Sequence, residues 1–302
     1  MGLLRFLPPK PTIGELETEV EQLLKDLGAQ NPLAEARFAS ILGDIPSPPP
    51  DVGIQEVIAG EYGYDSWGQL REHVGMVEEV ENDIERLRDA YGNANSVSER
   101  ASVIEGHHSM KRFENLDPSE PFLSDHDARV LLANKRGYAH WVKYHAYIHL
   151  LPEVRKVIDA IEKSDIARLG KILVDYPHAS NPKWVPGFLA IDSRFKDLIN
   201  DCIPLFRVSR AVYEGHVPAG ETEYAFIKLL AEYGADIEFD NGHPLNAAIS
   251  FRATEAVRAL LELGALPNGP GRDGTPISIA VRFGSPEIIN VLIEAGAKEK
   301  QG

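Results

Sequence analysis

The feature that most constrains this chain is an internal repeat. The stretch HPLNAAISFRATEAVRALLELGA, from His243, lies over TPISIAVRFGSPEIINVLIEAGA, from Thr275, at a constant offset of 32. Under that offset Pro244 meets Pro276, Ala248 meets Ala280, Leu260 meets Leu292, and Gly264-Ala265 meets Gly296-Ala297. Each copy has the physics of a helix hairpin. Proline is tolerated at the start of the first helix because its missing N–H would have no helical partner. Small alanines let the two helices approach, the Leu-Leu or Leu-Ile pair of the second helix faces the core, and glycine ends that helix in a left-handed turn. A unit of this size cannot bury its apolar face alone, so copies must stack.

Two less regular units precede the pair. Pro204-Leu205 opens a first helix and FIKLLAEYGAD (Phe226 to Asp236) reads as a second helix with its turn, with EGHVPAGETE (Glu214 to Glu223) between them. VIDAIEKSDIARLGKILVDYP (Val157 to Pro177) has the same two-helix rhythm, whereas His178 to Asp201 departs from it. The combined pattern resembles the ankyrin repeat. Measured against that repeat, the unit opened by Pro204 is about nine residues too long. The resemblance implies about four repeats over residues 151–302, two of them irregular.

A second internal repeat, at an offset of 74, organises the first half. Gly63, Tyr64 and Trp67 meet Gly137, Tyr138 and Trp141; Val57, Ile58 and Ala59 meet Leu131, Leu132 and Ala133; Val74 meets Ile148. Each copy predicts a helix, a Gly-Tyr corner, a tryptophan and a second helix, with the aromatic corner packing the two helices together. Ser66 followed by Gln69 is a capping-box pattern, and His140 is a poorer cap at the equivalent place. Upstream, Leu16, Val20, Leu23, Leu24 and Leu27 fall at helical spacing with Gly28 as the expected C-cap, and Ile45 to Asp51 is a Pro-rich linker. Residues 1–75 and 127–150 resemble a small helical module found ahead of ankyrin repeats in a group of bacterial proteins. No run shows sustained alternation with hairpin turns. The expectation is an all-α chain: helical hairpin modules over 1–150, then a short ankyrin-type solenoid.

Charge and composition narrow the function classes. The formal net charge is -15, which repels phosphate backbones and favours a basic partner or simple solubility. The single cysteine, Cys202, rules out an internal disulfide framework. The apolar stretch Leu3 to Leu7 is broken by Arg5 and stopped by Pro8 and Pro9, too short for a secretory signal. Phe6 stands where a myristoylation motif needs Ser or Thr. With no long apolar window, a cytoplasmic protein without a membrane contact is expected.

Chemistry-bearing residues are sparse. His145 and His149, spaced i, i+4, place two imidazoles on one helix face, and His140, His107 and His108 could add ligands. No HExxH motif or intervening carboxylate accompanies them, so neither metal nor cofactor is expected. Cys202 reads as a packing residue, NGPGRDG (Asn268 to Gly274) as a repeat finger without the Lys-Ser/Thr of a phosphate loop, and Glu78 to Asp89 as a solvated helix face. The resemblance implies binding through finger tips and the exposed side of each first helix. Here those places hold Arg210 and Tyr213, then Ser250, Phe251 and Arg252, then Arg272, Arg282 and Phe283. Arginine and aromatics dominate interface energies, though Phe251 and Phe283 could instead pack between units. The expectation is a non-enzymatic scaffold that binds another protein. A neutraliser of a basic toxin is the alternative, and a metal enzyme built on His145 and His149 the most distant one.

Overall fold

The structure is a computed structural model, and it describes residues 5, 7–43, 51–105, 117–138, 140–185, 200–269, 274–283 and 285–298. Those residues contain fifteen α-helices and no strand beyond one isolated bridge, Leu150 to Trp184. They divide into two compact units: 5–152 with 184–185, and 153–183 with 200–298. Among the described residues no helix is long and apolar enough to cross a membrane.

The first unit holds α1 (Ile13–Gly28), α2 (Pro32–Leu42), α3 (Asp51–Glu61), α4 (Trp67–Gly92), α5 (Val97–Glu105), α6 (Asp125–Lys135) and α7 (Trp141–Ile148). The Pro-rich linker falls outside the described residues, up to Asp51, where α3 begins. A capping box between Thr12 and Glu15 starts α1. The helix runs through Gly28 to Ala29, and the left-handed residue is Gln30, with φ 53°; this corrects the expected glycine cap. The hairpins α3–α4 and α6–α7 follow the offset of 74 closely. Gly63 and Gly137 both take left-handed φ (78° and 84°), which a side chain would strain. Tyr64 and Tyr138 are buried behind them, and Ile54, Val57, Ile58, Ala59, Ala128, Leu131, Leu132 and Ala133 form the two cores. Ser66 caps α4 by accepting from the Gln69 N–H, but the Gln69 side chain turns to the Asp65 N–H, so the box is only half closed. His140 makes no cap bond.

The acidic run on α4 is less solvated than its sequence suggests. Val80, Ile84, Leu87 and Tyr91 are buried along it, and Glu81 pairs with both Lys10 and Arg129. That pairing holds the Glu81 carboxyl below its usual range against the opposing effect of burial.

The second unit is a stack of helix pairs: α8 (Pro152–Glu162) with α9 (Ile166–Asp175), α10 (Pro204–Glu214) with α11 (Glu221–Glu232), α12 (Phe239–Ser250) with α13 (Thr254–Glu262), and α14 (Pro276–Phe283) with α15 (Pro286–Glu294). First helices pack on first helices (α10, α12, α14), and second on second (α9, α11, α13, α15). Asp240, Asn241 and Gly242 are left-handed, so regular α12 begins at His243 and Pro244 sits in its first turn, where it is tolerated. The stretch expected between α10 and α11 shortens to Gly215–Gly220, because Glu221 to Glu223 form the first turn of α11.

One hydrogen bond recurs between successive pairs. The residue after each Gly-Ala turn donates its backbone N–H to a side-chain oxygen of the pair before it: Asp236 to Asn181 (2.7 Å), Leu266 to Glu238 (2.8 Å), Lys298 to Asn268 (2.8 Å). Asn181 and Asn268 also donate to the carbonyls of Gly234 and Gly296. These side chains fix the spacing of the stack by satisfying backbone groups that a turn leaves open.

Candidate functional site

The candidate surface follows from how the first helices end. α10 and α12 are buried along most of their length, so side chains reach solvent chiefly near their C-terminal ends. There Tyr213 is 68% exposed, and its ring lies 5.5 Å from that of Phe251 on the next pair. Phe251 is half-buried, set edge-on against Phe206 at 5.4 Å, and Phe206 stacks on His243 at 5.3 Å. Arg252 has φ 58°, the conformation that the matching Gly of the next pair would take without strain. Its Nη2 donates to the Phe283 carbonyl at 2.9 Å, and Phe283 is 36% exposed. Tyr213, Phe251, Arg252 and Phe283 therefore form one continuous edge across three helix pairs.

The remaining expected residues contribute less. Arg210 donates to Glu214 at 2.7 Å and keeps only 11% of its side chain exposed. The Ser250 hydroxyl donates to the Asn246 carbonyl one turn back. Arg282 is exposed at the end of α14. Arg272, like Gly284, lies outside the described residues.

The histidines form a cluster with one further ring. His145 and His149 lie 4.5 Å apart by ring centroid, and a residue the spacing did not suggest, buried His73, joins them. His73 Nε2 is 3.2 Å from His149 Nδ1, while its Nδ1 is 2.6 Å from the Tyr64 hydroxyl. A bond between two ring nitrogens needs one N–H and one lone pair, so His73 and His149 can share one hydrogen bond as they stand. Burial, with the Arg129 charge nearby, pushes His145 down to about 4. His107 and His108 lie outside the described residues. Cys202 is fully buried.

One group of three potential ligands does converge among the described residues: Glu162, Glu214 and His216. His216 Nδ1 is 2.8 Å from Glu162 and 3.8 Å from Glu214. Glu162 also pairs with Arg207 and Glu214 with Arg210, so two guanidinium groups already balance the two carboxylates. Glu223, read in the sequence only as the end of the stretch between two helices, is 1% exposed and joins two helix starts, accepting from the N–H groups of Ala256 and Gly220. Burial raises its carboxyl above the usual range, partly countered by those two bonds.

Stacked helix pairs, inter-pair side-chain bonds and an aromatic-guanidinium edge define the second unit as a repeat array. In agreement, residues 216–301 match the family model described as ankyrin repeats (3 copies). The match leaves out α8, α9 and α10, whose pairing is seen in the structure itself. No curated protein matches the chain. Ankyrin repeats support a protein-protein interaction role in general.

Proposed function

We propose that the chain is a non-catalytic docking protein and that its contact edge runs through Tyr213, Phe251, Arg252, Arg282 and Phe283. The observation that carries this reading is the continuity of the edge: the Tyr213–Phe251 ring contact and the bond from Arg252 to Phe283 span three pairs. An exposed aromatic beside a forked donor is the composition that concentrates binding energy. Arg210 and Ser250 serve as supports, since both side chains are bonded within their own helices. The interacting species is another protein in the cytoplasm. A second reading, inhibition of a basic toxin or effector, rests on the net charge of -15, which would speed association with a positive partner.

The test begins with capture of the binding protein from the native host by the full chain. Affinity for the identified partner is then measured for wild type, Tyr213→Ala and Arg252→Ala. Loss of about 2 kcal/mol or more for either variant is expected of an anchor. Unchanged affinity in both, with helix content intact, removes the edge from the interface.

A further inference from the structure

Charge is sorted across the array. From Pro204 to Glu214, from His243 to Arg252 and from Pro276 to Phe283, the first-helix segments carry Arg207, Arg210, Arg252 and Arg282 against a single carboxylate, Glu214. The second helices α11, α13 and α15 carry seven glutamates against Lys228 and Arg258. The first-helix side is therefore formally basic in a chain of net charge -15. Two of its arginines are spent locally, Arg207 on Glu162 and Arg210 on Glu214. Arg252 is not. It is exposed, its Nη2 donates to the Phe283 carbonyl, and no carboxylate pairs with it among the described residues. Arg282 stands one residue before that carbonyl, so the two arginines occupy adjoining places on the edge. The C-terminal end of a helix offsets only about half a unit of positive charge. The guanidinium of Arg252 thus leaves positive charge over, beside the rings of Tyr213, Phe251 and Phe283.

We infer that the segment received by this edge is acidic: a stretch of a partner protein that sets an aspartate or glutamate against Arg252 and an apolar side chain against the neighbouring rings. The inference rests on the docking edge proposed above and adds the chemistry of its occupant. A guanidinium offers a carboxylate a two-pronged, charge-assisted contact. The bond from Arg252 to the Phe283 carbonyl holds that guanidinium in place beforehand, so little side-chain freedom is lost on binding. The acidity of the chain as a whole opposes an acidic segment over most of the surface, which confines the contact to the basic side of the array. A basic segment would find its carboxylates on the second helices instead.

The test uses three short synthetic peptides of one design, in which leucine alternates with glutamate, with glutamine or with lysine. Each is titrated into the isotope-labelled full chain, and NMR follows the amides of Tyr213, Phe251, Arg252 and Phe283. The glutamate peptide is expected to shift these amides most strongly, and to bind less well as salt rises from about 50 to about 300 mM. Arg252→Glu should raise its dissociation constant about tenfold or more, while Arg252→Lys, which keeps the charge without the fork, should fall between. Should Arg252→Glu lose helix content, Arg282→Glu makes the same reversal at the adjoining place. Edge shifts of equal or greater strength with the glutamine or lysine peptide would overturn the acidic assignment and leave the edge a docking site. No edge shift with any peptide would overturn the assignment and count against the edge as well. Wild-type affinity of the glutamate peptide for a folded charge-reversed variant would overturn the assignment alone.

Discussion

The clearest quantitative expectation concerns His145. The imidazole sits beside Trp141 and His149, and Arg129 lies close enough to oppose its protonation, itself held by Glu81 and Asp125. An imidazole held at about 4 rather than 6.5 prefers the folded state while neutral. Its contribution is full above pH 6.5 and is lost as the pH falls through 4. The difference corresponds to at most about 3 kcal/mol, of which about 2 kcal/mol is gone by pH 5. His145→Gln keeps a polar side chain and removes the titration. Urea unfolding followed by circular dichroism at pH 7 and pH 5 should therefore show wild type losing about 2 kcal/mol more than the variant. Equal losses in the two proteins would refute the argument. So would a His145 proton resonance that titrates at or above its ordinary value.

The inter-pair bonds predict that Asn181→Ala and Asn268→Ala each cost about 1 to 2 kcal/mol in thermal or urea unfolding, since each removes two bonds to turn backbone. Arg252→Ala should cost about 1 kcal/mol by losing the bond to Phe283, while Arg252→Gly recovers part of it by relaxing the left-handed backbone. Glu223→Gln should gain on wild type as pH rises from 4 to 7, because a carboxyl raised by burial disfavours the fold once ionised; a pH-independent difference would contradict this. Elemental analysis should find no stoichiometric transition metal at His145 and His149. Near-unit zinc that disappears when both become alanine would reverse that reading.

The helix pairs were legible because their signals are local. Pro244, Pro276, the paired alanines and the Gly-Ala turns each act on their own backbone, and a repeat multiplies the signal. The corner glycines Gly63 and Gly137 were equally plain, since a left-handed turn and a buried tyrosine recur at one spacing. Where the reading fell short, the cause was distance along the chain. His73 meets His149 across 76 residues, and no helical spacing announces such a contact. Glu223 looked like part of a polar insertion, yet the N–H of Ala256, 33 residues on, gives it a buried partner. At the candidate edge, Tyr213, singled out by residue type, is exposed. It could not show that Arg210 is tied to Glu214 or that Phe251 leans on Phe206.

The side-chain bonds from Asn181, Glu238 and Asn268 join neighbours only, so cohesion in the array is passed from pair to pair. Among the described residues an interior pair such as α12–α13 is gripped on both sides, by α10–α11 and by α14–α15, whereas α14–α15 is gripped on one. In a chain of nearest-neighbour couplings the end opens first and opens alone. Amide hydrogens of Ile288, Val291 and Leu292 should then exchange with solvent through a fraying motion that leaves Val257 and Leu260 protected. The Asn268 latch would release before the Glu238 latch, which lies one pair further in.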